Sequence, residues 1–159
     1  MFQWLEATPV ALWVGASLWA YPFLLSLHVI GLAIVVGIFS IRDLRLLGLF
    51  PGINPAAFLS ISKLAWGGFL VNAGSGALLF TSQAATFSES PPFLVKITAI
   101  IVAMVLARII QTRLRNEVTA TAALALTEPE VAAATRLIAG LSLTIWAVAI
   151  IAGRLIAYF

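Results

Sequence analysis

Four long apolar stretches separated by short polar connections set the pattern of this chain: residues 21–41, 64–81, 93–110 and 137–159. Each has about the 17–25 residues that an α-helix needs to cross a ~30 Å hydrocarbon layer. Helix-start signals precede them. Pro22 suits the first turn of the first stretch. Asn54-Pro55 and Ser90-Pro91 pair a capping side chain with proline at the first helical position of the second and third. Thr127, with Glu130 three residues later, predicts a capping box for the fourth. The second and fourth helices are therefore expected to begin in water, a few turns ahead of their apolar cores.

A shorter helix is predicted over residues 9–17, capped by Thr8. It cannot span a bilayer, and Trp4, Trp13, Trp19 and Tyr21 lie in or beside it. Such rings gather at the membrane–water boundary, so this helix is expected to lie along the interface. The competing reading makes it an extension of the first span.

Composition turns this pattern into a fold class. Sixty-two per cent of the 159 residues are hydrophobic and 9 % charged, against about a quarter charged in soluble domains. One core of this size cannot hide so much apolar surface from water. The expectation is an all-α integral membrane protein: one membrane domain over residues 1–159, forming a four-transmembrane-helix bundle with a short N-terminal interfacial helix. Its partners are then the lipid bilayer and either further copies of itself or the other subunits of a membrane complex.

Charge adds an orientation. The connection after the first span carries Arg42, Arg45 and Lys63, and the third carries Arg113, Arg115 and Arg136, with Arg108 just inside. The N-terminal segment has no Lys or Arg, and residues 82–92 hold only Glu89. By the positive-inside rule the first and third connections are cytoplasmic, and both ends of the chain face outwards. The net charge of +3 is scattered, without the basic run that nucleic acid requires. No signal peptide is expected, because Glu6 is the only charge before the apolar run. With no cysteine there are no disulfides and no thiolate metal sites.

Ionisable groups inside a span cost at least ~2.5 kcal/mol at the bilayer centre and need a reason. His28, the only histidine, lies about 10 Å below the outer interface by helix rise, with Gly31 on the same face. It suits an axial ligand to a b-type haem, a proton or quinone site, or a hydrogen bond that holds two helices together. Lys96 and Arg154 lie at roughly 6–8 Å depth on the outer side, where basic residues are disfavoured. They suit the propionates of a haem, a phospholipid headgroup, or snorkelling to water. Gly68, Asn72 and Gly76 recur every fourth residue, with Gly74 and Ser75 beside them. That face suits close helix packing or a flat macrocycle. Asp43 is unfavourable at the negative end of the first helix, and a pairing with Arg108 or Lys63 is expected to offset this.

Three blocks of the chain resemble a family of small bacterial membrane proteins of unknown function, DUF6644. They are Ser26-Leu27-His28-Val29-Ile30-Gly31-Leu32 running into Asp43-Leu44-Arg45-Leu46-Leu47-Gly48; Gly74-Ser75-Gly76 through Phe80 to Pro92-Phe93 and Lys96; and Ser142-Leu143 through Trp146 to Gly153-Arg154 and Tyr158. The resemblance implies a bacterial membrane protein of four helices, with His28, Lys96 and Arg154 on family motifs, and the expected location is the inner membrane. It implies no activity. Relatives often carry an asparagine and a second histidine near the inner end of the third helix, where this chain has Arg108-Ile109-Ile110-Gln111.

Two functions remain in view. One is a redox-associated subunit carrying haem b, with His28 as metal ligand and Lys96, Arg154, Asn72, Ser75 and Gly76 around the cofactor. Met104, about 18 Å below the outer interface, is too deep to be an easy sixth ligand. That leaves a five-coordinate haem, or two His28 side chains meeting across a twofold axis. The other is a non-enzymatic accessory subunit with lipid at the outer cations. A small transporter fits less well, since inverted repeats and broken midplane helices are lacking. No nucleophile motif or phosphate loop points to stand-alone catalysis.

Overall fold

The computed structural model describes residues 2–123 and 131–158, and every regular element among them is helical. The order is α1 (Gln3–Glu6), α2 (Pro9–Ala16), α3 (Ala20–Leu46), α4 (Ala57–Thr81), α5 (Ala84–Glu89), α6 (Pro91–Ala123) and α7 (Ala133–Leu155). Four of them, α3, α4, α6 and α7, are long and apolar enough to cross a membrane. Only 22–28 % of each apolar window is buried inside the protein. Large side chains such as Val29, Leu70, Leu94, Ile101 and Ile151 point outwards instead. Water would not tolerate that surface; lipid would.

The predicted short helix is present as α2, with Thr8 Oγ1 accepting the Ala11 N–H at 3.3 Å and Pro9 at the first position. It is separate from α3. Ser17 is extended, and its Oγ accepts the Trp19 and Ala20 N–H groups at 3.3 and 3.2 Å, so that the chain restarts. Helix α3 runs five residues beyond the expected end at 41 and closes in a Schellman turn. Leu49 N–H reaches Leu44 O, Gly48 N–H reaches Arg45 O, and Gly48 takes a φ of 102°.

Helix α4 starts at Ala57 rather than Pro55. The Asn54 side chain accepts the Ala56 N–H at 2.9 Å, and tight turns carry the chain through Leu59. Ser90-Pro91 does open α6, but Ser90 Oγ is buried without a hydrogen-bond partner among the described residues, so the backbone sets this start. Helix α6 continues thirteen residues past the expected end at 110. Beyond Ile110 it stays helical because Leu114 and Val118 repeat the buried face every fourth residue against Leu46, Phe58 and Ala139. Arg113 and Arg115 consequently lie on a helix, not in a connection. Glu117 on this extension anchors the start of α7. Its Oε1 accepts the Thr135 hydroxyl at 2.8 Å and the Ala132 N–H at 3.4 Å, tying α6 to the first turn of α7. Thr127 and Glu130 lie outside the described residues.

Helices α3 and α4 pack most closely, as do α6 and α7; α3 also meets α7, whereas α4 and α6 touch sparsely. The middle core puts Phe39 between Trp66, edge-on, and Trp146, stacked, among Ala65, Ala99, Ala103 and Ala107. At the end bearing α1 and α5, Phe80, Phe87 and Phe93 stack with centroids 5.4–6.5 Å apart. There Glu6 accepts the Ala85 N–H at 2.8 Å and ties α1 to the start of α5.

Candidate functional site

The small-residue face of α4 meets α3 at van der Waals limits. A Cβ on Gly31 would lie 2.7 Å from the Asn72 nitrogen and 2.8 Å from the Gly68 oxygen. One on Gly68 would strike Ile34 at 2.8 Å, and one on Gly76 would stand 2.9 Å from His28 Cε1. Close helix packing, rather than a macrocycle, occupies this face. The room expected beside Gly31 is filled by the backbone of α4.

This approach brings His28, Asn72, Ser75 and Gly76 together. His28 Nδ1 lies 2.9 Å from the Asn72 carbonyl oxygen, and only an N–H can stand between those two atoms, so Nδ1 donates. Asn72 answers with its own side chain, Nδ2 donating to the His28 carbonyl at 2.8 Å. Nδ2 also lies 3.3 Å from Nδ1, but two donors do not bond. The Ser75 hydroxyl sits 2.6 Å from the Val71 carbonyl and 3.1 Å from the same Asn72 oxygen. Asn72 and Ser75 are buried and His28 is half-buried. With its proton on Nδ1, the neutral imidazole carries a lone pair on Nε2.

Lys96, on α6, lays its stem over Gly153 of α7, where an added Cβ would stand 3.4 Å from Cδ and 3.7 Å from Nζ. It makes no ion pair among the described residues. Arg154 does not join them. It is exposed, donates to the Tyr158 hydroxyl at 3.3 Å and sits 5.5 Å from that ring's centroid, its neighbour one turn on.

No family model matches the chain, and neither does any curated protein or solved structure.

His28 offers one nitrogen ligand, the Nε2 lone pair, and Lys96 offers a positive charge on α6. The second propionate partner does not converge, and Met104 packs in the middle core with Phe39 and Trp146. By helix rise Met104 is about 12 Å deeper than Lys96. Among the described residues no three His, Cys, Asp or Glu side chains gather as a metal site.

Two further polar clusters lie towards the other end. Asp43 pairs neither with Arg108 nor with Lys63 but with its neighbour Arg42. Arg42 Nε donates to Oδ1 at 2.8 Å, and Nη2 lies 2.7 Å from the same oxygen outside hydrogen-bonding angles. The two residues are 2 % and 0 % exposed. Consecutive helical side chains diverge, but the arginine stem is long enough to fold back, and Nη1 reaches the Ala107 carbonyl on α6 at 3.3 Å. Helix packing over Asp43 leaves this as its accessible cation. The second cluster escaped the sequence reading. Gln111 accepts from Trp66 Nε1 at 3.2 Å and donates to Ser62 Oγ at 2.8 Å, joining α6 to α4. The available signal was a glutamine one turn beyond Arg108 in an apolar run.

Proposed function

We propose that this chain is a multi-pass protein of a bacterial inner membrane, with both ends outside, and that it serves as a redox-associated subunit holding haem b at His28. The orientation rests on charge: Arg42, Arg45, Lys63, Arg108, Arg113, Arg115 and Arg136 belong to one end of the long helices, against Lys96 and Arg154 at the other. The bacterial reading rests on the family resemblance.

One observation carries the haem reading. The Asn72 carbonyl accepts the Nδ1 N–H and leaves the Nε2 lone pair to a ligand. A hydrogen bond from Nδ1 to a backbone carbonyl is the arrangement that orients metal-binding imidazoles and raises their basicity. His28 would hold the iron, Lys96 would face a propionate, and Asn72 would fix the ring. Bound there, haem would supply one-electron transfer. The test is the reduced-minus-oxidised absorbance spectrum of protein purified from cells supplied with haem.

A second reading is favoured by the filled glycine face: His28 and Asn72 act as helix glue in a non-catalytic accessory subunit, and Lys96 meets a lipid phosphate. It predicts colourless protein that is recovered with a partner after mild solubilisation.

A further inference from the structure

Because α4 and α6 touch sparsely, a shallow groove runs between them on the outside of the long helices. It has a volume of about 410 Å³ and is walled by Trp66 and Phe69 of α4 and by Ile101, Met104 and Val105 of α6. Ile101 and Val105 are 60 % and 54 % exposed, so the groove opens to whatever surrounds the protein. From Ile101 to Arg108 it is roughly 10 Å long by helix rise.

One end is different in kind. Arg108 borders the groove there, exposed. Lys63, also exposed, precedes Trp66 by three residues, so it shares that face of α4 one turn nearer the same end. The Trp66–Gln111–Ser62 chain of hydrogen bonds straps the two helices together at this level. Two cations on two helices thus flank the mouth of an apolar slot, and among the described residues neither makes an ion pair.

We propose that this groove binds an anionic phospholipid, its acyl chain along Phe69, Ile101 and Val105 and its phosphate between Lys63 and Arg108. An acyl chain matches the apolar walls. A headgroup with net negative charge gains from each basic side chain near the surface, whereas a zwitterionic one cancels most of that gain. With the proposed orientation the site faces the cytoplasmic leaflet. It lies at the opposite end from Lys96 and does not depend on what His28 holds.

The experiment is native mass spectrometry of detergent-purified protein given equal amounts of phosphatidylglycerol and phosphatidylcholine with the same acyl chains. The wild type should retain phosphatidylglycerol preferentially. Lys63→Gln with Arg108→Gln should lower the ratio of the two adducts by at least about tenfold. Arg113→Gln with Arg136→Gln removes the same charge elsewhere, since Arg113 lies about 140° round α6 from Arg108 and Arg136 is on α7, and should leave the ratio unchanged. Equal retention of both lipids by the wild type, or an equal loss in the control pair, would overturn the assignment.

Discussion

His28 and Asn72 are bonded twice, and each bond joins one residue's side chain to the other's backbone: Nδ1 to the Asn72 carbonyl at 2.9 Å, and Nδ2 to the His28 carbonyl at 2.8 Å. The two side chains therefore act separately although they touch. His28→Ala and Asn72→Leu should each destabilise the protein by ~0.6–1.7 kcal/mol. In a double-mutant cycle they should couple by less than about 0.5 kcal/mol, which is unusual for residues in contact. Reversible unfolding in detergent measures this. Strong coupling would mean that Nδ1 accepts from the asparagine amide and that Nε2 carries the proton.

Gly31 has no room for a methyl group, because the atoms it would meet are backbone atoms of α4. Gly31→Ala should push α3 from α4 and cost ~1–3 kcal/mol. Gly37 has nothing within 4 Å of an added Cβ. Gly37→Ala should be neutral, or stabilising by up to ~1 kcal/mol through helix propensity. Equal melting temperatures for the two variants would refute the close approach.

Arg42 is buried with Asp43 as its counter-charge. Asp43→Leu alone should destabilise by ~3–5 kcal/mol, since it strands the guanidinium away from water. Arg42→Met combined with Asp43→Leu should recover most of that loss, because the pair's desolvation disappears with it. A single variant as stable as the wild type would show that Arg42 reaches solvent.

These pairings mark the boundary of what the sequence discloses. The apolar runs place all four long helices, because length and hydropathy are local properties, and Thr8-Pro9 places α2 for the same reason. The recurrence of Gly68, Asn72 and Gly76 at every fourth position announces a packing face. It cannot say that His28 is the residue laid against it, since that depends on the rotation of α3 about its own axis. The helix-dipole rule points Asp43 to a cation on another helix, whereas the long stem of Arg42 lets the adjacent residue fold back onto it. The last three turns of α6 lie beyond the hydropathy signal, which falls after Ile110 while the core-facing stripe of Leu114 and Val118 continues. The bond from Thr135 to Glu117 spans eighteen residues of sequence, and no local pattern encodes it.

The absence of cysteine from the sequence allows a clean test of orientation. Thr86, at α5, and Thr119, near the end of α6, are both exposed. In intact cells a membrane-impermeant maleimide should label Thr86→Cys and spare Thr119→Cys until the membrane is broken. The reverse pattern would invert the proposed topology.

The most direct test of the haem reading compares wild type and His28→Ala, expressed with added haem precursor and purified in mild detergent. Dithionite-reduced minus oxidised spectra are recorded between about 380 and 650 nm, where b-type haem absorbs. The wild type should show a Soret band with resolved α and β bands in near-stoichiometric amount, and His28→Ala should lose them. A flat spectrum from folded wild-type protein, or an unchanged spectrum in His28→Ala, would contradict the haem reading.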